Sequence, residues 1–359
     1  MTDNGGEEMM NKMQAIIELG PKSIEISALP IPQISSDEVL MKVRANGLCT
    51  NDLRDYIGDT KWTYPRIGGH EFSGEIVAVG EAIDPKYFKI GDHVVKYIIP
   101  YCGHCHYCKT KRENLCEEIY NSKVFRNNEG ISGFMGMAQY IAVKERNLYR
   151  FPKNIPYTHS SFTEPLACVI NSIERAQLTL GQDVVIMGGG VMGSLHILLA
   201  KMKGTRVLVS DPDEKRRELA ERLGADITFD PKAGDAIEFV KAQTHGRGAD
   251  TVFNTTALPS LAAQAIDFTA KGGRTFMFSS MHPNKLVPTD MGAIHSEEKV
   301  ITGTVSPTID TFYQAVQLIS KGIIDITPLI DRTFDYTEAA SAFEYGLRPE
   351  TLKTIITFD

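Results

Sequence analysis

The 359-residue chain has one tryptophan and no uninterrupted apolar stretch near the ~18–20 residues that span a bilayer. It also lacks a positive excess. Its 38 Lys and Arg against 45 Asp and Glu leave a formal charge of −7, which argues against nucleic acid, acidic membranes or a polyanion as partner. No repeat or low-complexity tract is visible. The opening Met1–Lys12 is polar and acidic, with neither a signal-peptide core nor an Arg-rich transit pattern. It reads as a flexible tail on a soluble, cytoplasmic protein. With 42% apolar residues, general disorder is excluded, and the length suits about two domains of ~150 residues.

Cysteines are few, six in all, but four of them crowd together: Cys102, Cys105, Cys108 and Cys116 fall within 15 residues, while Cys49 and Cys168 stand apart. In a reducing compartment, clustered thiols bind metal more often than they form disulfides. The spacing C-x2-C-x2-C-x7-C supplies four soft ligands from one loop, which suits a closed, structural zinc site. An iron–sulfur cluster or a redox-active pair are the competing readings. His104 and His106 interleave as loop residues. A nucleic-acid zinc ribbon is disfavoured, since the surroundings are not strongly basic.

Two textures divide the chain. Up to about Pro152, short strand-like runs (Met13–Leu19, Glu38–Ala45, Ser73–Gly80, Asp92–Ile99, Ala138–Val143) are separated by Gly and Pro. From Asp183 onward, strands and helices alternate: strands at Asp183–Met187, Arg206–Ser210, Asp250–Asn254 and Arg274–Ser279, helices at Val191–Lys203, Glu214–Leu223 and Leu258–Thr269. That alternation predicts right-handed crossovers and a parallel sheet, an α/β class. A helix at Ile309–Lys321 and a strand at Thr354–Phe358 follow.

Gly188, Gly190 and Gly193 form G-x-G-x-x-G directly after the first of these strands, with Val191 and Met192 opening the next helix. Gly188 permits the tight turn, Gly190 lets backbone approach a pyrophosphate, and Gly193 lets the helix pack closely on the strand. The helix N-terminus then faces the phosphate charge. Asp211 ends the second strand, 23 residues after Gly188. A carboxylate there accepts ribose hydroxyls and repels a 2′-phosphate, so NAD is favoured over NADP. Arg216, with Lys215 and Arg217, follows closely enough to soften that discrimination.

Gly69-His70-Glu71-x2-Gly74, the four-cysteine lobe, Glu164-Pro165-Leu166 and Gly188-Gly189-Gly190-x2-Gly193 occur in an order and spacing that resembles the zinc-dependent medium-chain dehydrogenases, over nearly the whole chain. The resemblance implies a GroES-like, mostly-β catalytic domain (1–165 and 305–359, zinc lobe at 100–117) and a Rossmann doubly wound domain (166–304). It implies two zinc ions per chain and a dimer or tetramer. Carried over, Cys49, His70 and Glu164 are catalytic zinc ligands and Glu71 a supporting or alternating one. Alone, their spacing would not show this. Glu rather than Cys at position 164 looks like the sorbitol, threonine and sugar-alcohol branch; Cys168, four residues on, is a competing ligand, but the spacing from Glu164 to Gly181 favours the Glu, and Cys168 reads as packing. The implied reaction passes hydride from a secondary hydroxyl of a polyol, sugar or sugar derivative to NAD. A 3-hydroxy amino acid dehydrogenase, or an NADH-dependent ketose or keto-acid reductase, is the alternative.

Three departures from the family pattern bear on mechanism. The usual Ser or Thr two residues after the first Cys ligand is Asn51, a poor proton relay. Its carboxamide is expected to orient the substrate while Glu71, water or a substrate hydroxyl takes the proton. Arg54 stands where many relatives carry His, and Ser306-Pro307 replaces the Arg-Tyr pair of sorbitol-type enzymes. Arg54, Lys61, Arg66 and Arg126 are the candidates to grip a substrate carboxylate or phosphate, with Tyr56 and Trp62 as pocket walls. If Asn51 orients the substrate, Asn51→Ser shifts substrate preference; a steep rise in turnover on every alcohol alike, in steady-state assays, refutes that role.

Overall fold

The computed structural model describes residues 12–60, 62–119 and 130–359. The amino-terminal tail expected over 1–12 lies, but for Lys12, outside them, as do Lys61 and Arg126. The chain divides into two compact units. The first comprises residues 1–165 and 308–359, the second residues 166–307.

In the first unit a seven-stranded sheet carries the residues of interest. Strand β3 (Glu38–Gly47) is its organising element, pairing antiparallel with β4 (Glu71–Val79), β6 (Tyr140–Lys144) and β15 (Lys353–Thr357). Beyond β4 lie β5 (His93–Lys96) and β7 (Leu148–Phe151); beyond β15 lies β14 (Ile330–Asp335). Strands β1 (Lys12–Gly20) and β2 (Ser23–Pro30) form a separate hairpin. β3 alternates inward Val39, Met41, Val43 and Ala45, all fully buried, with less buried partners, the period-two signature of a sheet with one face on a core. The helix α1 (Thr50–Tyr56) begins immediately after Cys49.

The second unit is a six-stranded parallel sheet in the order β10-β9-β8-β11-β12-β13, with β8 at Asp183–Met187, β9 at Arg206–Ser210, β10 at Ile227–Phe229, β11 at Ala249–Asn254, β12 at Thr269–Met277 and β13 at Val300–Gly303. The order reverses between β8 and β11, and at such switch points open α/β sheets bind ligands beyond the strand ends. Strand β8 is buried on both faces, as a central parallel strand must be. Its core packs Val185, Leu208, Val252 and Phe268.

Helix α2 (Thr163–Ala176) and helix α3 (Val191–Met202) differ in how visible they are from sequence. α3 follows the glycine motif; α2 follows only a change of texture at Thr163. The short strands β10, β13 and β14 went unmarked, being three to six residues long and partly exposed.

Gly193 shows why the motif needs its third glycine: a Cβ there would sit 1.8 Å from the Gly188 carbonyl oxygen. At Gly190 the nearest atom to such a Cβ is the end of Arg216, 3.9 Å away. Gly193→Ala is expected to cost about 1–3 kcal/mol through forced separation of helix and strand, and Gly190→Ala under about 0.5 kcal/mol. Chemical denaturation of both variants tests the difference.

Candidate active site

Cys49 ends the segment after β3 and is the N-cap residue of α1. Its backbone N–H donates to Asp52 Oδ2 at 3.0 Å, fixing the first turn. Asp52 Oδ1 also accepts the Gly69 N–H at 3.1 Å and stands 3.6 Å from His70 Nδ1. One buried carboxylate therefore fixes the backbone of both Cys49 and the segment carrying His70. Burial alone would raise its pKa, but facing His70, then Arg66 and the Cys49 N–H, hold it near 2. Sequence reading passed over Asp52; its signal was a carboxylate at the third position of a helix whose cap is a candidate ligand.

Cys49, His70 and Glu71 each present a ligand atom within 4.8 Å of the others. Glu71 opens β4 and is 2% exposed. Its Oε2 accepts from Lys353 Nζ at 2.5 Å, and the same ammonium donates to the Leu48 carbonyl at 3.2 Å. Gly47 lies between these strands, opposite Glu71 on one side and Ile355 on the other. A Cβ on Gly47 would lie 2.6 Å from Glu71 Oε2 and 3.3 Å from Lys353 Cδ, so the glycine clears the path of the ion pair. Burial would lower the Lys353 pKa; Glu71 foremost, then Cys49, keep it raised. Lys353 was also missed, although a lysine at the inward register of the apolar strand KTIIT was a usable signal.

Glu164 lies in the first turn of α2, half-buried and outside the three-residue group, with a charge that acts on Lys353. Cys168, one turn later, is half-buried. Asn51 is exposed on α1. The His70 ring stands 5.3 Å from Phe134, whose own neighbour is Trp62 at 6.1 Å, so an aromatic wall extends from the histidine. Tyr56 belongs elsewhere. It is buried against Phe343, with its hydroxyl donating to Glu344 at 2.9 Å.

Among the candidate substrate cations, Arg66 is corrected by its surroundings. It is 1% exposed, ion-paired with Asp55 and, at 3.6 Å, with Glu18. It is part of the core and unavailable to a substrate. Arg54 directs its Nε to Asp59 at 3.4 Å.

The four lobe cysteines also lie within 4.8 Å of one another. Backbone N–H groups of His104 and Cys105 point at Cys102 Sγ, each at 3.3 Å, and those of Cys102 and Glu118 at Cys116 Sγ, at 3.3 and 3.4 Å. The Cys108 N–H, then that of Glu117, pulls the Cys105 thiol down to about 6. Donors aimed at sulfur stabilise thiolate, the form that binds metal.

In the second unit Gly188 has φ +98°, the left-handed turn a side chain resists. Gly190 caps α3, which Val191 and Met192 open. Asp211 is 3% exposed; its Oδ2 accepts the Gly189 N–H at 2.7 Å and its Oδ1 the Asp213 N–H at 2.8 Å. It is thereby tied to the glycine loop. Arg216 Nη1 is 3.9 Å from Oδ2, and Arg217 Nη1 donates to the Asp211 carbonyl at 2.8 Å.

Known proteins are similar to this chain over nearly its whole length. Residues 35–153 match the alcohol dehydrogenase GroES-like domain and residues 191–321 the zinc-binding dehydrogenase family. Sorbitol dehydrogenase of Bacillus subtilis (strain 168) is 30% identical, covering 96% of this chain and 97% of its own. D-arabitol-phosphate dehydrogenase of Enterococcus avium is 32% identical over 91% and 92% of the two chains. L-threonine 3-dehydrogenase of Caldanaerobacter subterraneus subsp. tengcongensis is also 32% identical, over 91% and 93%. The structure of the alcohol dehydrogenase rspB from Escherichia coli CFT073, complexed with NADH, superposes with TM-score 0.86 at 25% identity, covering 97% and 100%. A candidate zinc-binding dehydrogenase of Sinorhizobium meliloti 1021, bound to NADP, gives 0.88 at 27%, covering 97% and 99%.

The chain belongs to the zinc-dependent medium-chain dehydrogenases, in the branch that contains sorbitol, arabitol-phosphate and threonine dehydrogenases. It is an oxidoreductase acting on CH–OH groups, with zinc and a nicotinamide dinucleotide as its cofactors. The donor sets fit zinc: one all-thiolate group, and one mixed S, N, O group in which His70 and Glu71 are buried. No helix among the described residues is long and apolar enough to cross a membrane.

The Glu18–Arg66–Asp55 cluster predicts a pH effect on stability. Burial raises the Glu18 pKa from 4.5 to about 7; Arg66 opposes this and Asp52 adds to it. Between those values the folded state holds a proton that the unfolded state has released, so stability falls as pH rises from 4.5 to 7. Glu18→Gln is expected to flatten that part of the stability–pH curve. An unchanged slope in urea titrations across this range contradicts the assignment.

Proposed function

We propose that this enzyme oxidises a secondary hydroxyl of a polyol, sugar or sugar derivative with NAD. The supporting observation is the convergence of Cys49, His70 and Glu71 on one point of the first unit, framed by Asp52 and Lys353. In this reading Cys49, His70 and Glu164 hold the catalytic zinc, Glu71 is a supporting or alternating ligand, and Cys102, Cys105, Cys108 and Cys116 hold a structural zinc. A zinc with an open coordination position is a Lewis acid that lowers the pKa of a bound hydroxyl. The protein's part is to hold the ligands in place. Asp52 fixes the Cys49 and Gly69 backbone, and Lys353 neutralises Glu71. Asn51, two residues from Cys49, orients the alcohol. Gly188, Gly190, Val191, Met192 and Gly193 receive the dinucleotide phosphates, with Asp211 and Arg216 at its ribose.

The polyol assignment draws on the sorbitol and arabitol-phosphate relatives. The threonine relative supports a second reading, oxidation of a 3-hydroxy amino acid. Reduction of a ketose or keto acid is the same chemistry reversed. A cytoplasmic location is part of the proposal, as is a dimer or tetramer, for which the support is the edge strand β13, where Val300 and Ile301 are exposed.

The test is NADH formation on neutral sugar alcohols, inositols, sugar phosphates, sugar acids and 3-hydroxy amino acids, with and without a strong chelator, beside elemental analysis. Chelator-sensitive turnover on a polyol class and two zinc ions per chain are expected. Turnover on 3-hydroxy amino acids alone would replace the polyol reading. Chelator-insensitive turnover would overturn the zinc assignment.

A further inference from the structure

Phe134, whose ring centroid lies 5.3 Å from that of His70, is presented by a strained stretch of backbone. The residues on either side of it both have positive φ, Gly133 at +121° and Met135 at +67°. Gly133 admits no side chain, since a Cβ there would lie 2.0 Å from the Ile67 carbonyl oxygen. Met135 is an L-residue in the left-handed region, where its Cβ crowds the backbone. Such conformations persist only where the surrounding structure over-determines them. Here the contacts are backbone hydrogen bonds to the segment that leads into His70. Ile67 N–H donates to the Ser132 carbonyl at 2.8 Å, Met135 N–H to that of Ile67 at 3.2 Å, and Gly136 N–H to that of Gly69 at 3.1 Å. Phe134 is thereby fixed beside a candidate zinc ligand. It is only half-buried, so core packing does not account for the strain.

Trp62 continues the surface. Its ring meets Phe134 edge-on at 6.1 Å and is half-buried as well. The Arg66 guanidinium lies 5.4 Å from the Trp62 ring centroid, and Asp55 and Glu18 hold that guanidinium in the core. His70, Phe134 and Trp62 thus form a continuous row that starts at a candidate ligand and ends on a buried, immobile cation. Aromatic rings fixed in advance take up apolar surface with little further loss of freedom. They disfavour hydroxyls that would lose water without gaining a partner. An open-chain polyol carries hydroxyls on every side of its backbone. A sugar ring or cyclitol confines most of them to its rim and presents a flat face of C–H bonds, which matches an aromatic surface.

We propose that Trp62 and Phe134 stack against the C–H face of a ring-form substrate, so that the preferred alcohol is a cyclitol or a closed sugar ring and not an open-chain polyol. This deepens the polyol reading and rests on it. The two aromatic side chains set specificity, and the strain around Phe134 maintains the stacking surface.

Trp62 is the chain's only tryptophan, so its emission reports on this surface without any substitution. The first test is stopped-flow fluorescence of the zinc-loaded full chain with NAD, read before NADH accumulates. Inositols and methyl pyranosides should shift or quench the emission, and hexitols at equal concentration should not. The second is the ratio of kcat/KM for the best of these ring substrates to that for the best hexitol. It should exceed about ten in wild type and fall severalfold in Trp62→Leu and Phe134→Leu, with Trp62→Phe keeping most of it. Elemental analysis of the variants separates this from loss of zinc. Equal emission responses to ring and chain, no response to either, or a ratio that both leucine variants leave unchanged overturns the proposal. So does a preference for cyclohexanol, whose ring lacks the other hydroxyls. Absence of turnover on every alcohol would instead refute the polyol reading, with the emission response still deciding the role of Trp62 and Phe134.

Discussion

The ion pair between Glu71 and Lys353 is the contact on which the first unit's chemistry depends. Both groups are almost wholly buried, and removing either leaves a bare charge in a low-dielectric interior, a loss of about 3–5 kcal/mol in comparable pairs. The pair spans three strands, β4, β3 and β15, and passes over Gly47 because a side chain there would block it. It therefore does two things. It ties β15 to β4 at the end where Cys49, His70 and Glu71 gather, and it balances the charge of the buried carboxylate that stands beside the Cys49 thiol and the His70 ring.

Asp52 has the complementary task of aligning two segments distant in sequence. Its two oxygens hold the Cys49 and Gly69 backbone amides, 20 residues apart, with His70 alongside. Second partners of this kind set the orientation and basicity of metal-binding histidines. Neither Asp52 nor Lys353 belongs to the short motifs, yet together they determine where the motif residues stand.

The contrast explains what was legible in the sequence. The parallel sheet and its glycine loop declare themselves because each requirement is local: Gly188 needs its positive φ and Gly193 its lack of Cβ, and both are satisfied within six residues. The cysteine lobe is local as well. The mixed donor group joins Cys49, at the cap of α1, to His70 and Glu71 at the start of β4, with Lys353 of β15 beside them, so only the combined motifs and their family resemblance pointed to it. Arg66 shows the limit most plainly. Its position beside Gly68-Gly69-His70 suggested a substrate contact, while Glu18, 48 residues earlier, holds it in the core. Charge compensation is a tertiary property, and no periodicity reports it.

The first unit is interrupted by the whole of the second, and this has a consequence for synthesis on the ribosome. Glu71 leaves the exit tunnel 282 residues ahead of Lys353, its counter-charge. Strand β15, which completes the sheet beside β3, follows the entire parallel-sheet unit in the chain. Units of a chain generally fold as each is completed, so the parallel-sheet unit is finished while the first unit still has an open β3 edge and an unneutralised Glu71 carboxylate. The order of the gene thus leaves the last rung of the first sheet, and the charge balance of Glu71, to the final residues made.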